Sequence, residues 1–576
     1  MASCVPYSSS QCPEEAGDDF TSIRKFAVGL HNQGLLQAAK DCHFKCMQVD
    51  SSRPEPWLSI GDIFRQEGML GNAEDSYRKS LKIAPTWHLA YFNLGNSLKS
   101  LDKHTQALQA YQHALDLRPP FKAAVLNNMA LSYGSLNRNE DVLRCYREAL
   151  QADPEFPETY NNMGSHLQAL GRLEEAIGAY KTATQIRPDK GFLVNLAYAL
   201  GIKGDTAGSI GVYAKAVELH PNYALAYYNL GTTLMGEERY PESEFCFRWA
   251  ITLDNTVPDY YNNLATVVGA GGAKPEVIEL YHKVLSISPG HETAYSNLYH
   301  AKHELCNWSD DEQHLKEVLK IVNGQMSLGQ TPTVRPFHAL AYPVDAFWQR
   351  KLAEVWSKLT ERDARAMVPP SFSFSHPALE PERRIRIAYT SSDIKAQHPV
   401  AHLVLSLFHL HDMLSYQVIC VALTPNDGSP LRAEVERKVE VFVDLTPELA
   451  MGVPAAASKI NSLQPHILVN LNGYTNGGRL ELFALQPAPI QVNAIGYPGT
   501  IGANFIHSIV TDRTTAPPEA VGAYTERLVY MPHAYLVNAL KTSFPDLTPA
   551  SKIQRISPSQ RKLQITDESG AVQIGS

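Results

Sequence analysis

Asp393 and His398 are two side chains that together could move a proton. Asp393 follows the apolar run Arg384–Tyr389, and His398 stands five residues later, directly before Pro399. An imidazole can take up or release a proton near neutral pH, which suits the removal of a proton from a hydroxyl nucleophile. Alternatively, His398 orients a substrate without moving a proton. The residues alone leave both hypotheses open.

His398 and His402 also form an HxxxH pair, a spacing that places two potential zinc ligands on one helix face. No third ligand is phased with them. We therefore expect no metal at this position.

Polar residues and glycines recur where the apolar runs of the C-terminal half stop. Parallel strands share one direction, so their ends gather at one edge of a sheet and form a cleft there. The stop positions are Asp393, Asn472, Gly496, Asp512 and His533.

The strands and helices predicted around these positions alternate along the chain, as they do in an open α/β sheet. The apolar runs predict strands at Arg384–Tyr389, Tyr416–Ala422, His466–Val469, Ile490–Ile495, Ser508–Thr511 and Leu528–Met531. Helices are predicted at Val400–Leu410, Leu431–Val439, Ala455–Leu463 and Gly478–Leu485, with Pro399 as the first residue of the first one.

The N-terminal half is a repeat array with a period of 33 to 35 residues. A second small or compact residue follows each first one by nineteen positions. This is the tetratricopeptide pattern of two antiparallel helices per unit, which stack into a superhelix with a concave face. The first series is Ala27, Gly61, Gly95, Ala130, Gly164, Ala197, Gly231 and Ala265.

An asparagine stands two residues before most of these small residues. A carboxamide offers one acceptor and two donors, so a row of them could bond the backbone of an extended peptide. The other reading is that each asparagine bonds the neighbouring repeat and holds the stack. The row, which we call the asparagine ladder, is Asn93, Asn128, Asn162, Asn195, Asn229, Asn263 and Asn297.

Composition narrows the class of protein. The chain has 576 residues, 44% hydrophobic residues and a net charge of −8, so it divides into several domains and has no general attraction to nucleic acid. No apolar run is long enough to span a membrane, and the N-terminus lacks the pattern of a signal peptide. Eight scattered cysteines without a CxxC pair predict free thiols, and hence the cytoplasm or nucleus.

The predicted domains follow from these patterns. They are a disordered N-terminus (1–19), an array of about eight repeats (20–300), a helical connector and linker (301–382), a Rossmann-like domain (383–542) and a disordered tail (543–576). Within the connector, one helix is predicted over Ala301–Val322 and another over Asp345–Leu359.

The strings HILVNLNGYT and IGYPGT, with Ser391-Ser392-Asp393 and His398-Pro399, closely resemble the catalytic region of the protein O-GlcNAc transferases. That resemblance implies transfer of N-acetylglucosamine from UDP-GlcNAc to Ser or Thr hydroxyls of intracellular proteins, without metal or other cofactor. The implied fold is a tetratricopeptide superhelix followed by the first Rossmann-like half of a GT-B glycosyltransferase. Asp393 and His398 would be catalytic, and the ladder would hold substrate polypeptide. The sugar and acceptor cleft would contain His338, Thr475, Arg479, Gly496, Tyr497 and Pro498.

The chain departs from the family pattern at several points. One more residue than usual separates Asp393 from His398, Phe337-His338 replaces a His-His pair, and Asn476 stands where a lysine is common. The resemblance ends near Leu536, so the half that grips UDP is expected to be missing.

Three functions follow as hypotheses. The first is an O-GlcNAc transferase. The second is a repeat scaffold that binds proteins without turnover, alone, as a homodimer or with a full-length transferase. The third is a transferase of fucose, as in related plant-type proteins. The strings NGYTNGGR and HPVAH favour the first over the third.

Overall fold

A computed structural model describes Cys12 and residues 19–272, 274–367, 371–374, 384–396 and 398–532, together with the backbone of residues 564–567 and 570–573. The chain forms two compact units, Met1–Gly271 and Gly272–Ser576. Among the described residues, no helix is both long and apolar enough to cross a membrane. The stop predicted at His533 lies outside the described residues, as does almost all of the N-terminal segment before residue 19.

The described part of the first unit is built from paired α-helices. Each pair covers one period of the sequence repeat. The helices are α1 (Phe20–Asn32), α2 (Leu36–Val49), α3 (Glu55–Gln66), α4 (Leu70–Ile83), α5 (His88–Ser100), α6 (His104–Asp116), α7 (Lys122–Ser135), α8 (Asn139–Ala152), α9 (Pro157–Ala169), α10 (Leu173–Ile186), α11 (Lys190–Lys203), α12 (Thr206–Leu219), α13 (Ala224–Gly236), α14 (Tyr240–Leu253) and α15 (Pro258–Gly269).

Where the small residue of the first helix is a glycine, an aromatic ring of the second helix occupies the space that a side chain would need. A methyl group added at Gly95 would lie 2.5 Å from the ring of Tyr111, and one at Gly164 would lie 2.8 Å from the ring of Tyr180. Both rings are buried, and the Tyr111 hydroxyl donates to Asn96 Oδ1 at 2.8 Å. The repeat period therefore records a close helix–helix contact.

One expectation about the cysteines is wrong. Cys12 and Cys42 are joined by a disulfide, so the chain does not hold eight free thiols. Cys46, which lies one helical turn after Cys42, is a free and buried thiol.

Replacing Gly95 by Ala tests the close contact. The added methyl group has to displace the Tyr111 ring, and such overpacking costs about 1–3 kcal/mol of unfolding free energy. Gly178→Ala is the matched control, because Gly178 lies inside α10 with no neighbour within 4 Å. There the change is expected to stabilise the helix by about 0.5–1 kcal/mol. Urea denaturation followed by circular dichroism measures both, and shifts of the same sign would contradict the packing argument.

The second unit begins with more helices. These are α16 (Pro275–Ile287), α17 (Glu292–Glu304), α18 (Asp311–Ser327), α19 (Pro336–Ala339) and α20 (Ala346–Ala366). The single helix predicted over Ala301–Val322 is wrong, because Cys306 and Asp310 adopt positive φ angles of 52° and 57° and separate α17 from α18. The next helix extends past its predicted end at Leu359 and begins where the Asp345 carboxylate accepts from the Trp348 amide at 2.8 Å.

Seven parallel strands follow in the order β3-β2-β1-β4-β5-β6-β7. They are β1 (Ile385–Ser391), β2 (Tyr416–Ala422), β3 (Val441–Asp444), β4 (Ile467–Asn470), β5 (Ile490–Asn493), β6 (Ser508–Thr511) and β7 (Arg527–Tyr530). The helices between them are α21 (Pro399–Leu410), α22 (Pro430–Lys438), α23 (Thr446–Ala450), α24 (Val453–Ser462) and α25 (Leu480–Ala484), with a 3₁₀ helix at Pro518–Ala523. The predicted tetratricopeptide superhelix followed by an α/β half-domain of GT-B type is thus confirmed as the fold class.

The strand order reverses between β1 and β4. From β1 the chain proceeds outward through β2 and β3, and it then returns to the other side of β1 with β4. Such a reversal leaves a crevice beyond the carboxyl ends of the two strands, where open α/β sheets bind ligands. Asp393 follows β1 and Asn472 follows β4, so both lie at this point.

Inside the segment predicted to be a disordered tail, Gln564–Asp567 pairs antiparallel with Gly570–Gln573. Most of that segment lies outside the described residues. The first unit ends at Gly271, whereas the repeat array was predicted to end at 300. The predicted boundaries at 300, 382 and 542 remain predictions.

Candidate functional site

The carboxylate of Asp393 is buried and held by two donors. Asn472 Nδ2 donates to its Oδ2 at 2.7 Å, and Ser392 Oγ donates to its Oδ1 at 3.0 Å. Asn472 also accepts from the Ser392 amide at 2.9 Å, so the loops after β1 and β4 are bonded to each other. Asp393 is 4% exposed and Asn472 is fully buried. The switch point therefore presents a carboxyl group in a fixed position.

His398 stands beside this charge. It caps the N-terminus of α21, with its Nδ1 facing the Val400 amide at 3.4 Å, and its Nε2 lies 3.6 Å from Asp393 Oδ1. About a third of the His398 side chain is exposed, whereas Asp393 is covered. A carboxylate beside an accessible imidazole stabilises the imidazolium that forms when the ring takes a proton. The structure thus brings together the pair that the sequence placed five residues apart.

The loop after β5 packs tightly on the loop after β4. A methyl group added at Gly496 would overlap the carbonyl oxygen of Leu471, and one at Gly473, whose φ is +60°, would overlap the Tyr497 side chain. Both positions therefore require glycine. Gly496 lies within reach of the Asn472 backbone, which adds it to the cluster of Asp393, His398 and Asn472.

The remaining predicted cleft residues near this loop have different surroundings. Tyr497 is buried, with its ring edge-on to that of Tyr474 at 5.4 Å, so its side chain packs inside the domain and supports the loop. The Pro498 carbonyl accepts from the Tyr524 hydroxyl at 3.2 Å. Thr475 donates to the Asn472 carbonyl at 2.9 Å, and the Arg479 guanidinium is half exposed and 3.4 Å from Glu481.

A buried carboxylate that sequence reasoning missed anchors the same loop. Glu526, at the residue before β7, accepts from Thr500 Oγ1 at 2.7 Å and from the Ile501 amide at 2.6 Å. Burial raises the pKa of Glu526, since an ionised carboxylate is poorly solvated there. The sequence spacing does not predict that Glu526 anchors this loop, because β6 lies between the two in the chain and the fold brings them together.

Asp512 lies at the same edge, after β6. Its carboxylate accepts from the amides of Thr514 and Thr515, each at 2.8 Å. It therefore closes a turn of its own loop.

Glu526→Gln tests the buried carboxylate. Because the pKa of Glu526 is raised in the folded chain, its contribution to the unfolding free energy is full below the ordinary value of 4.5 and is lost as the pH rises through the raised pKa. Glutamine does not titrate. We therefore expect the wild type to gain stability relative to the variant as the pH is lowered from about 7.5 to about 5.

Urea denaturation at the two pH values measures this difference. Glu519→Gln is the control, because Glu519 is exposed in the 3₁₀ helix of the same domain. A difference between the wild type and Glu526→Gln that does not change with pH would contradict the assignment.

His338 lies elsewhere in the second unit. On α19, its ring stacks on that of His300 of α17, with the centroids 3.9 Å apart. Burial, reinforced by His300 and Arg335, lowers the pKa of His338 to about 4, so the ring is neutral at physiological pH. No ring or polar contact among the described residues joins His338 to Asp393 or His398. Its neighbour Phe337 is exposed, with its ring 6.5 Å from that of Tyr497.

The asparagine ladder bonds one repeat to the next. Five of its members donate from Nδ2 to a side chain on the first helix of the preceding pair. These bonds are Asn93 to Asp62 at 3.0 Å, Asn128 to Asn96 at 2.8 Å, Asn162 to Asn127 at 3.1 Å, Asn195 to Asn161 at 2.9 Å and Asn263 to the Tyr228 hydroxyl at 3.2 Å. All five side chains are only partly buried.

Asn229 interrupts the ladder. The positions that supply the acceptor in the other steps are occupied by Val194 and Tyr198 in the preceding pair, and no hydrogen bond of the Asn229 carboxamide is found among the described residues. Asn297 lies on α17 in the second unit and is likewise partly buried. The stack-holding alternative thus describes five of the seven positions. In three of these five, the side-chain oxygen also accepts from the asparagine just before it in the chain: Asn128 from Asn127, Asn162 from Asn161 and Asn263 from Asn262.

Within the described part of the chain, no group of three or more His, Cys, Asp or Glu side chains could hold a metal ion. His402 is exposed one turn after His398. The expectation of a cofactor-free reaction remains a prediction.

Comparison with known proteins agrees with this geometry. Residues 305–573 match the profile of glycosyl transferase family 41, and residues 54–86, 88–121 and 127–190 match tetratricopeptide repeat profiles. The chain carries a glycosyl transferase family 41 domain. This confirms the resemblance to the O-GlcNAc transferases.

Two curated relatives are peptide N-acetylglucosaminyltransferases by name. The Arabidopsis thaliana protein "Probable UDP-N-acetylglucosamine--peptide N-acetylglucosaminyltransferase SEC" is 40% identical over 269 residues, which is 45% of this chain and 26% of that protein. The Caenorhabditis elegans UDP-N-acetylglucosamine--peptide N-acetylglucosaminyltransferase is 37% identical over 236 residues, 40% of this chain and 20% of that protein. The aligned part of this chain thus spans about a quarter or less of each relative's length.

Among solved structures, a mutant of Thermobaculum terrenum O-GlcNAc transferase matches with 25% identity and a TM-score of 0.39. The match covers 60% of this chain and 58% of that one.

Proposed function

We propose that this chain takes part in transfer of N-acetylglucosamine from UDP-GlcNAc to Ser or Thr hydroxyls of proteins. The observation that carries the proposal is the Asp393–His398 pair at the switch point of a family 41 domain. The names of the relatives support the sugar and the peptide acceptor.

In this proposal each group has a separate task. His398, being partly exposed, accepts the proton that the acceptor hydroxyl loses as its oxygen attacks the anomeric carbon of the sugar. Asp393 is shielded by Asn472 and Ser392, and it stabilises the protonated ring. The bond between sugar and phosphate breaks, and UDP leaves with the electron pair. The Gly496 loop, anchored by Glu526, forms the floor on which sugar and acceptor meet.

The ladder would hold the acceptor protein. An amide oxygen has two lone pairs, so the ladder oxygens, including the three that already accept one bond, can accept from the backbone N–H groups of an extended segment. Partners would then be proteins with exposed Ser- or Thr-rich segments, met in the cytoplasm and nucleus.

Incubating the chain with UDP-GlcNAc and a Ser-rich acceptor peptide, followed by mass spectrometry, tests for turnover. We expect a gain of one N-acetylhexosamine. Replacing His398 or Asp393 by Asn should lower the rate by about 10²–10⁴-fold, the usual contribution of a positioned proton acceptor. His402→Asn is the control, because it is exposed on the same helix, and its rate should not change.

Failure of transfer together with failure of UDP to bind in a titration would overturn the catalytic proposal. If the acceptor still binds, that result would favour the alternative function, a repeat scaffold that binds proteins through α1–α15 without turnover. Equal rates in His402→Asn and His398→Asn would remove the proposed role of His398.

The gap in the ladder gives a clean test of peptide binding. Asn229→Ala removes a carboxamide that does not bond the stack, so we expect binding of an unfolded Ser-rich protein to weaken about fivefold, for one hydrogen bond of about 1 kcal/mol. The thermal unfolding temperature should stay unchanged. Asn162→Ala is the comparison, since it also breaks the bond to Asn127 and should lower both. Calorimetric affinity that is unaltered in Asn229→Ala would argue against the groove.

A further inference from the structure

The loop that joins Asp393 to His398 is held by a segment that follows β2, residues 424–432. Three bonds reach three alternate residues of the loop. Thr424 Oγ1 donates to the Ser392 carbonyl at 3.0 Å, Arg432 Nη1 donates to the Ile394 carbonyl at 3.2 Å, and the Ala396 amide donates to Asp427 Oδ2 at 2.7 Å. Residues 424–432 therefore hold the backbone of the loop on one side through three hydrogen bonds.

Arg432 is itself rigidly placed. Its side chain is fully buried in α22, bonded to Glu436 at 3.0 Å and Asp444 at 3.2 Å, and stacked 4.5 Å over the ring of Phe442. A buried guanidinium must have its donors satisfied, and the Ile394 carbonyl supplies one of the acceptors. The hydrogen bond from Arg432 to the Ile394 carbonyl therefore lies in the core of the domain.

Asp427 reaches the loop from outside. It is exposed, yet the Ala396 amide, assisted by Ser429, lowers its pKa to about 2, so the side chain is a carboxylate at any physiological pH. The same carboxylate accepts from the Ser429 amide at 3.0 Å through its other oxygen, which orients it. The Ala396 amide would otherwise face water.

On the other side of the loop, Asp393 is fixed by Asn472 and Ser392. Apart from its approach to Asp393, the polar contact of the His398 ring found among the described residues is the N-cap of α21, with a capping distance of 3.4 Å. The path of residues 394–396 therefore decides how far the His398 ring stands from Asp393.

We propose that Asp427 and Arg432 are positioning residues that set the distance of His398 from Asp393 by pinning the backbone between them. Arg432 pins the backbone at Ile394, and Asp427 pins it at Ala396. This proposal rests on the proposed role of the Asp393–His398 pair. In this proposal, neither Asp427 nor Arg432 touches a substrate. Both act on the reaction by positioning His398.

Asp427→Ala in the full chain tests the proposal, because Asp427 is exposed and its loss leaves the core intact. Asn426→Ala is the matched control. Asn426 forms the same kind of turn, accepting from the Gly428 amide at 2.8 Å. Its Nδ2 donates to Glu436 at 3.4 Å, but it makes no bond to residues 392–396. The first readout is the ring resonance of His398 in histidine-labelled protein, assigned by its loss in His398→Asn. The second is the kcat and acceptor KM of N-acetylhexosamine transfer.

We expect Asp427→Ala to move the His398 resonance by more than its linewidth and to lower kcat about tenfold with an unchanged acceptor KM, as for loss of alignment alone. Asn426→Ala should leave both as in the wild type. A His398 resonance that stays in place in Asp427→Ala, or that moves equally in the two variants, would overturn the proposal. If the wild type shows no transfer, the proposed function fails, whereas the resonance still decides whether Asp427 positions His398.

Discussion

The hydrogen bond from Asn472 to Asp393 is the interaction on which the site depends. A carboxylate that is 4% exposed is costly to bury unless donors replace water, and the amide of Asn472 supplies the shortest replacement. The bond also crosses the switch point of the sheet, because its two partners follow β1 and β4. A single interaction thus satisfies a buried charge and closes the base of the crevice. The Gly496 loop can pack there only because that base is already closed.

Much of the α/β fold could be predicted because its strands read as short apolar runs, which in β1, β2 and β4 are mostly buried. Tyr416–Ala422 and Ser508–Thr511 were predicted with their observed bounds. The edge strand Val441–Asp444 was missed, since it is four residues long and each of its residues is only partly buried. The break between α17 and α18 was missed because positive φ angles at Cys306 and Asp310 depend on packing and carry no glycine to announce them.

Some residues of the candidate site could also be predicted from the sequence, and others could not. Asp393, Asn472 and Gly496 could be found because each ends a predicted strand, and parallel topology brings such ends together. Glu526 and Asp427 could not be found, since their partners lie about 25 and 31 residues away in sequence and meet them only through the sheet. His338 was placed at the cleft by the family resemblance. In the structure its ring stacks on that of His300, and its place in the cleft stays a prediction.

The missing bond at Asn229 has a mechanical consequence. In a solenoid each repeat touches only its neighbours, so stiffness is a property of each joint separately. Where a side-chain bond links α9 to α11, bending the array has to stretch that bond, which is worth about 1 kcal/mol. Between α11 and α13 no hydrogen bond of the Asn229 carboxamide is found among the described residues, so the joint there resists flexing less than its neighbours do. An elastic rod with one compliant joint concentrates its curvature there, and the pitch of this superhelix is therefore most easily altered at the pair α11–α12.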